Sequence, residues 1–104
     1  RTQYLKYFYI MKIRRIKYSG HALQRMFSRK IGREEVNSVI LHGEVIEEYP
    51  DDKPFRSFLM LKTIDERPLH VVLAFDEESL TGVVVTVYEP DQDKWDNDFV
   101  RRKR

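Results

Sequence analysis

Residues 69–89 read LHVVLAFDEESLTGVVVTVYE: two runs rich in β-branched and aromatic residues on either side of a polar stretch. Such runs suit strands, and the intervening DEESL at 76–80 suits a reversal between 69–75 and 81–88. Setting Phe75 opposite Thr81 places His70 opposite Thr86 and Val72 opposite Val84 in an antiparallel hairpin. Side chains alternate between faces along a strand. Leu69, Val71, Leu73 and Phe75 then share a wholly apolar face with Val83, Val85 and Val87. His70, Val72, Ala74, Thr86 and Tyr88 share the other. The apolar face needs a cover, and the segments upstream supply it.

Working outward, FRSFLMLKT at 55–63 and EVIEEY at 44–49 read as two more strands, separated by the turn signal PDDKP, with IDERP turning into the hairpin. Upstream the period changes to that of a helix. Ser19 offers an N-cap for a helix over 20–30, whose apolar side is Leu23, Met26, Phe27 and Ala22. His21, Arg25 and Arg29 fall at i, i+4 and i+8 along one edge of it. Glu34 and Glu35 favour the start of a second helix, Val36, Val39 and Ile40 form its buried stripe, and Gly43 stops it. MKIRRIK at 11–17 suits a first strand. The acidic stretch 90–98 is expected to form a short helix carrying Trp95, with Phe99 beside it.

The predicted architecture is α+β: an N-terminal strand and two helices on one face of a mainly antiparallel sheet of about four to five strands. Residues 11–104 read as a single domain with a basic C-terminal tail, and residues 1–10 as an N-terminal extension that is not counted as native to it.

The 104 residues suffice for one hydrophobic core. With no cysteine there is neither a disulfide framework nor a thiolate metal site. No apolar run reaches the ~20 residues that span a bilayer, so no membrane association is expected and a cytoplasmic location is compatible. His21, His42 and His70 lack metal-ligand spacing, and no Gly-rich phosphate loop or dinucleotide fingerprint occurs. No metal or cofactor is therefore expected. His42, at the end of the second helix, is explained by the helix dipole.

The net charge of +2 conceals a strong asymmetry. Residues 1–30 hold nine Lys/Arg and no acid, residues 31–100 hold six Lys/Arg against seventeen Asp/Glu, and the chain ends in RRKR. Basic ends attract polyanions, which makes Lys12, Arg14, Arg15, Arg29, Arg101 and Arg102 candidate RNA-binding residues. Cleaving an RNA phosphodiester without metal needs a base for the 2′-OH, an acid for the departing 5′ oxygen and a cation for the phosphorane. His21 and His70 supply the first two, Arg25 the third, and Thr86 and Tyr88 hydroxyls to hold phosphate. This reading expects all five to converge on one open hollow.

YSGHALQRMFSRKIGREEV, HGEVIEEYPDD, RPLHVVLAFD and VVVTVYEPDQDKW together resemble a bacterial and archaeal family, domain of unknown function 4258, from about Tyr18 to Trp95. That family is similar to small toxin ribonucleases of the barnase–EndoU–colicin–RelE fold group, which place helices before an antiparallel sheet. The resemblance implicates His21, Arg25, His70, Thr86 and Tyr88. It implies a toxin–antitoxin endoribonuclease acting on messenger, transfer or ribosome-bound RNA, with a cognate antitoxin as partner. The alternative is a non-catalytic module binding nucleic acid or protein. A third reading is a homodimer formed through the aromatic YLKYFYI at 4–10.

Overall fold

The computed structural model describes residues 9–104. In chain order the elements are β1 (Arg15–Tyr18), α1 (Gly20–Arg29), α2 (Arg33–His42), β2 (Glu44–Tyr49), β3 (Ser57–Ile64), β4 (Arg67–Asp76) and β5 (Thr81–Tyr88). The strands form one five-stranded sheet in the order β1-β5-β4-β3-β2. β2, β3, β4 and β5 pair antiparallel in succession, and β1 lies parallel to β5 at one edge. The α+β architecture expected from the sequence is the one adopted, with two helices on a single face of a mixed sheet.

That face is the core. Ala22 and Met26 of α1 and Val36, Val39 and Ile40 of α2 pack with Phe58, Met60, Leu69, Val71, Leu73, Phe75, Val84 and Val87. Tyr9 belongs to it as well, its ring 5.3 Å from those of Phe58 and Phe75. A residue assigned to the extension is thus a core residue. Ile10 packs against that core as well; residues 1–8 of the extension, and with them most of the aromatic stretch read as a dimer contact, lie outside the described residues.

The register expected for the decisive hairpin needs correction from the turn onward: Asp76, not Phe75, lies opposite Thr81. His70 lies opposite Tyr88, not Thr86, and Thr86 lies opposite Val72. The register then shifts, so that Leu73 faces Val84. The offset at the turn puts Val84 rather than Val83 into the core, and Val85, the extra residue of a bulge that returns Val87 to the core side, is itself left exposed. The bulge serves the connection into α1. Its carbonyl accepts the Ser19 hydroxyl at 2.8 Å, while the Ser19 amide donates to Val84 O at 3.0 Å.

Ser19 also caps α1, its Oγ accepting from the Ala22 amide at 2.9 Å. One side chain therefore starts the helix and ties it to β5. Ser19→Ala is expected to cost about 1–2 kcal/mol, from a lost cap and a lost hydrogen bond to the bulge. Urea unfolding measures this, and Ser19→Thr should recover most of it.

Three further differences follow from tertiary context. The first strand is shorter than its sequence pattern, beginning only at Arg15 where it meets β5. Phe27 and Leu23, read as apolar-side residues of α1, are exposed, because only Ala22 and Met26 of that helix reach the sheet. The 90–98 stretch forms turns rather than a helix. Asp91 and Asp98 capture the amides of Asp93 and Val100 at 2.8 and 2.9 Å, and such local bonds compete with helical ones.

Candidate functional site

α1 presents one surface and the sheet's second face another. On α1, His21, Gln24, Arg25, Phe27, Ser28 and Arg29 line an open groove. Arg25 and Arg29 enter no ion pair with their side chains among the described residues. Phe27 is 88% exposed among these cations, so its ring is open to a stacking partner. Nothing in the local sequence separates this phenylalanine from a core one, since Met26 beside it is buried. The outward turn follows from how α1 sits on β5.

The sheet's far side is built differently. His70 alternates away from the helices and stands in a row with Leu61 and Tyr88. The next row runs Glu47, Leu59, Val72 and Thr86. His70 is not exposed to solvent at all (0%), because residues 90–104 fold over it. Its Nε2 lies 2.8 Å from the Phe99 carbonyl and therefore donates, leaving Nδ1, 3.3 Å away, to accept from the Tyr88 hydroxyl. Trp95 meets the imidazole edge-on with centroids 4.6 Å apart, and Arg102 lies over the indole at 4.5 Å. Arg102 also binds Glu47 at 3.2 and 3.3 Å, and Glu47 in turn accepts the Tyr49 hydroxyl.

The electrostatics follow from this packing. Burial pushes the His70 pKa below its ordinary 6.5, against the opposing effects of the Phe99 carbonyl and Glu47. Burial would raise Glu47, but the hydrogen bonds from Tyr49 and Arg102, with the charge of Arg102, outweigh it and bring its pKa below 4.5. Tyr49 is pushed up to about 12, by burial first and then by Glu47. Tyr88 is raised by burial. Near neutrality this is a neutral imidazole, two protonated phenols and one carboxylate paired with a guanidinium.

Acid should loosen it. Above about pH 6.5 both docked and released His70 are neutral; below that the released form takes up a proton first, so the docked state loses stability as pH falls through the folded value. Glu47 acts in the same direction at lower pH, its contribution being lost as the carboxylate protonates. Trp95 is the only tryptophan and is buried. Its emission is expected to shift to the red from about pH 6 downward, ahead of any loss of far-UV circular dichroism.

The structure thus does not bring the five sequence-predicted catalytic residues into one hollow. His21 and Arg25 are exposed on α1, whose buried side packs on the helix-bearing face of the sheet. His70, Thr86 and Tyr88 lie on the opposite face, with His70 sealed. Of the predicted RNA-binding residues, Lys12, Arg14, Arg15 and Arg29 are exposed, Arg29 at the end of α1 and Arg15 at the start of β1. Arg101 is paired with Asp98 at 2.9 Å and Arg102 with Glu47. Glu47, Tyr49, Trp95 and Phe99 complete the second cluster and were not legible as its members, because contacts far apart in sequence assemble it.

Among the described residues no group of His, Asp and Glu could hold a metal ion, and no helix is long and apolar enough to cross a membrane. No curated protein and no solved structure matches the chain significantly. The model of one family does match, over residues 18–89, which takes in β1 from its last residue, both helices and the remaining strands, and stops short of the covering segment. The chain belongs to that family, described as Domain of unknown function (DUF4258).

Proposed function

We propose that this domain acts on RNA and holds a single strand on the exposed face of α1. The observation that carries this reading is Phe27, a fully presented aromatic ring set among Arg25, Arg29, His21, Gln24 and Ser28 in a groove lined by no acid. Single-strand binders combine these two elements: cations follow the phosphates, and an aromatic face stacks on a base whatever its identity.

The test is fluorescence anisotropy with a labelled oligouridylate at several salt concentrations. Wild type is expected to bind at low salt and weaken as salt rises. Phe27→Ala should lose about tenfold or more, since stacking contributes about 1–3 kcal/mol per base. Arg25→Gln with Arg29→Gln should flatten the salt dependence, each lost phosphate contact removing about 0.7 from the slope. No binding at low salt, or equal binding by all variants, rejects the reading.

A second reading is a metal-independent endoribonuclease of the toxin–antitoxin kind, as the likeness to the barnase–EndoU–colicin–RelE group implies, with an antitoxin as partner. The grouping of His70, Thr86 and Tyr88 on one sheet face favours it. In that chemistry the 2′ oxygen attacks phosphorus as a base takes its proton. The bond to the 5′ oxygen breaks as an acid protonates it, leaving a cyclic phosphate and a 5′ hydroxyl. Incubation with total RNA in EDTA distinguishes the two: cleavage lost in His70→Gln supports the enzyme, and intact RNA with undiminished binding supports the binding module.

A further inference from the structure

The segment that closes over His70 has the features of a detachable cover. It contains no strand of the sheet, and its one internal bridge joins Trp95 to Arg102. Its ties to the domain include a hydrogen bond from His70 to the Phe99 carbonyl, the Arg102–Glu47 pair and the burial of Trp95. Phe99 holds its carbonyl there at φ 59°, a left-handed backbone that bulky side chains avoid. The Arg102–Glu47 pair is half-exposed, with 59% and 28% of the two side chains accessible, and such pairs are weak ties. The segment lies wholly outside the region that the family model matches.

Its basic end is also its fastening. Arg102 sits within RRKR, residues 101–104, all four exposed, and a polyanion drawn to this end competes directly with Glu47 for Arg102. What lies underneath is a proton-exchanging set: the His70 imidazole, the Tyr88 and Tyr49 phenols and the Glu47 carboxylate.

We infer that residues 90–104 are a strap over a latent acid–base site on the sheet's second face, and that RNA engaging the strap's basic end uncovers that site. The ligand class rests on the RNA reading above; the separability of the strap does not. In the closed form the imidazole is beyond reach of solvent. Strap release presents it, with Tyr88 and Glu47, to whatever strand displaced Arg102. The released guanidinium moves with the phosphates and leaves Glu47 unpaired.

Two measurements on the full chain test this. Native-state hydrogen exchange is expected to show the strap amides of Trp95 and Lys103 opening at least about tenfold more often than those of Val71 and Leu73 in β4. Equal rates would make the strap part of the cooperative core and overturn the inference. Diethyl pyrocarbonate should modify His21 and His42 readily and His70 slowly. Adding oligouridylate should speed His70 modification and shift Trp95 emission to the red, and Arg102→Gln should speed His70 modification without RNA. Should RNA bind by anisotropy while His70 and Trp95 stay protected, the strap inference falls and the RNA reading stands. Exposure of His70 in Arg102→Gln without any RNA binding would support the strap and reject RNA as its release signal. Protection of His70 in that folded variant overturns the strap as well.

Discussion

His70→Ala is expected to lower folding stability by about 3 kcal/mol, the largest effect of any histidine substitution in the chain. The imidazole is wholly buried, so its removal leaves a void flanked by Tyr88 and Trp95. It also strips the Phe99 carbonyl of its donor and the Tyr88 hydroxyl of its acceptor. Cavities and orphaned polar groups each cost about 1–3 kcal/mol in buried settings. Denaturant unfolding followed by far-UV circular dichroism measures the loss, and Trp95 emission reports the strap separately. His21→Ala and His42→Ala are the controls. Both residues are exposed, and their loss should stay within about 0.5 kcal/mol. Equal effects at all three positions would contradict the buried placement of His70.

Gly43→Ala should be nearly as damaging, at about 3 kcal/mol. A Cβ there would stand 2.5 Å from Val39 O and 2.6 Å from Leu61 O. Both are backbone atoms, one in the last turn of α2 and one in β3, so no side chain can swing aside. The helix end would have to lift from the sheet, and overpacking of this kind costs about 1–3 kcal/mol or more. The cost is steric and not conformational, because φ at Gly43 is −79°, open to any residue. Gly32→Ala provides the contrast. Its added Cβ would meet only the Glu34 and Glu35 side chains at 3.6 and 3.8 Å, so a loss below about 1 kcal/mol is expected, mainly from the poorer N-cap. Thermal unfolding of the two variants side by side checks this.

Gly43 also shows how far the chain could be read without coordinates. As a helix stop it is legible, because a glycine follows the last apolar residues of a periodic segment. Its reason for being glycine is not, since that depends on Leu61 approaching across the fold. Ser19 is similar: the cap is local and readable, whereas its hydroxyl bond to Val85 exists only once β5 bulges beside it.

The candidate site divides along the same line. Alternation along β4 put His70 on the face away from Leu69, Val71 and Leu73, and the structure agrees. A one-residue offset at the turn, where Asp76 rather than Phe75 faces Thr81, and the single inserted residue at Val85 together changed its partner from Thr86 to Tyr88. Alternation along β5 cannot show this, because three consecutive valines read equally well in either register. His21, Arg25 and Arg29 were legible as one edge of a helix, but the exposure of Phe27 between them was not.

By itself, then, the sequence determined local quantities: where helical period yields to strand period, which residues cap and stop the helices, which side of β4 is oil and which is polar, and where charge collects. These follow from neighbours within a few residues. Tertiary structure alone decided which polar residues meet. The sheet separates His21 from His70, and a segment about twenty to thirty residues downstream covers the latter with Trp95 and the Phe99 carbonyl. The physical reason is that burial and partnership are set by packing between distant segments, and a bulge or a tail laid across a face redirects both while leaving the local pattern unchanged.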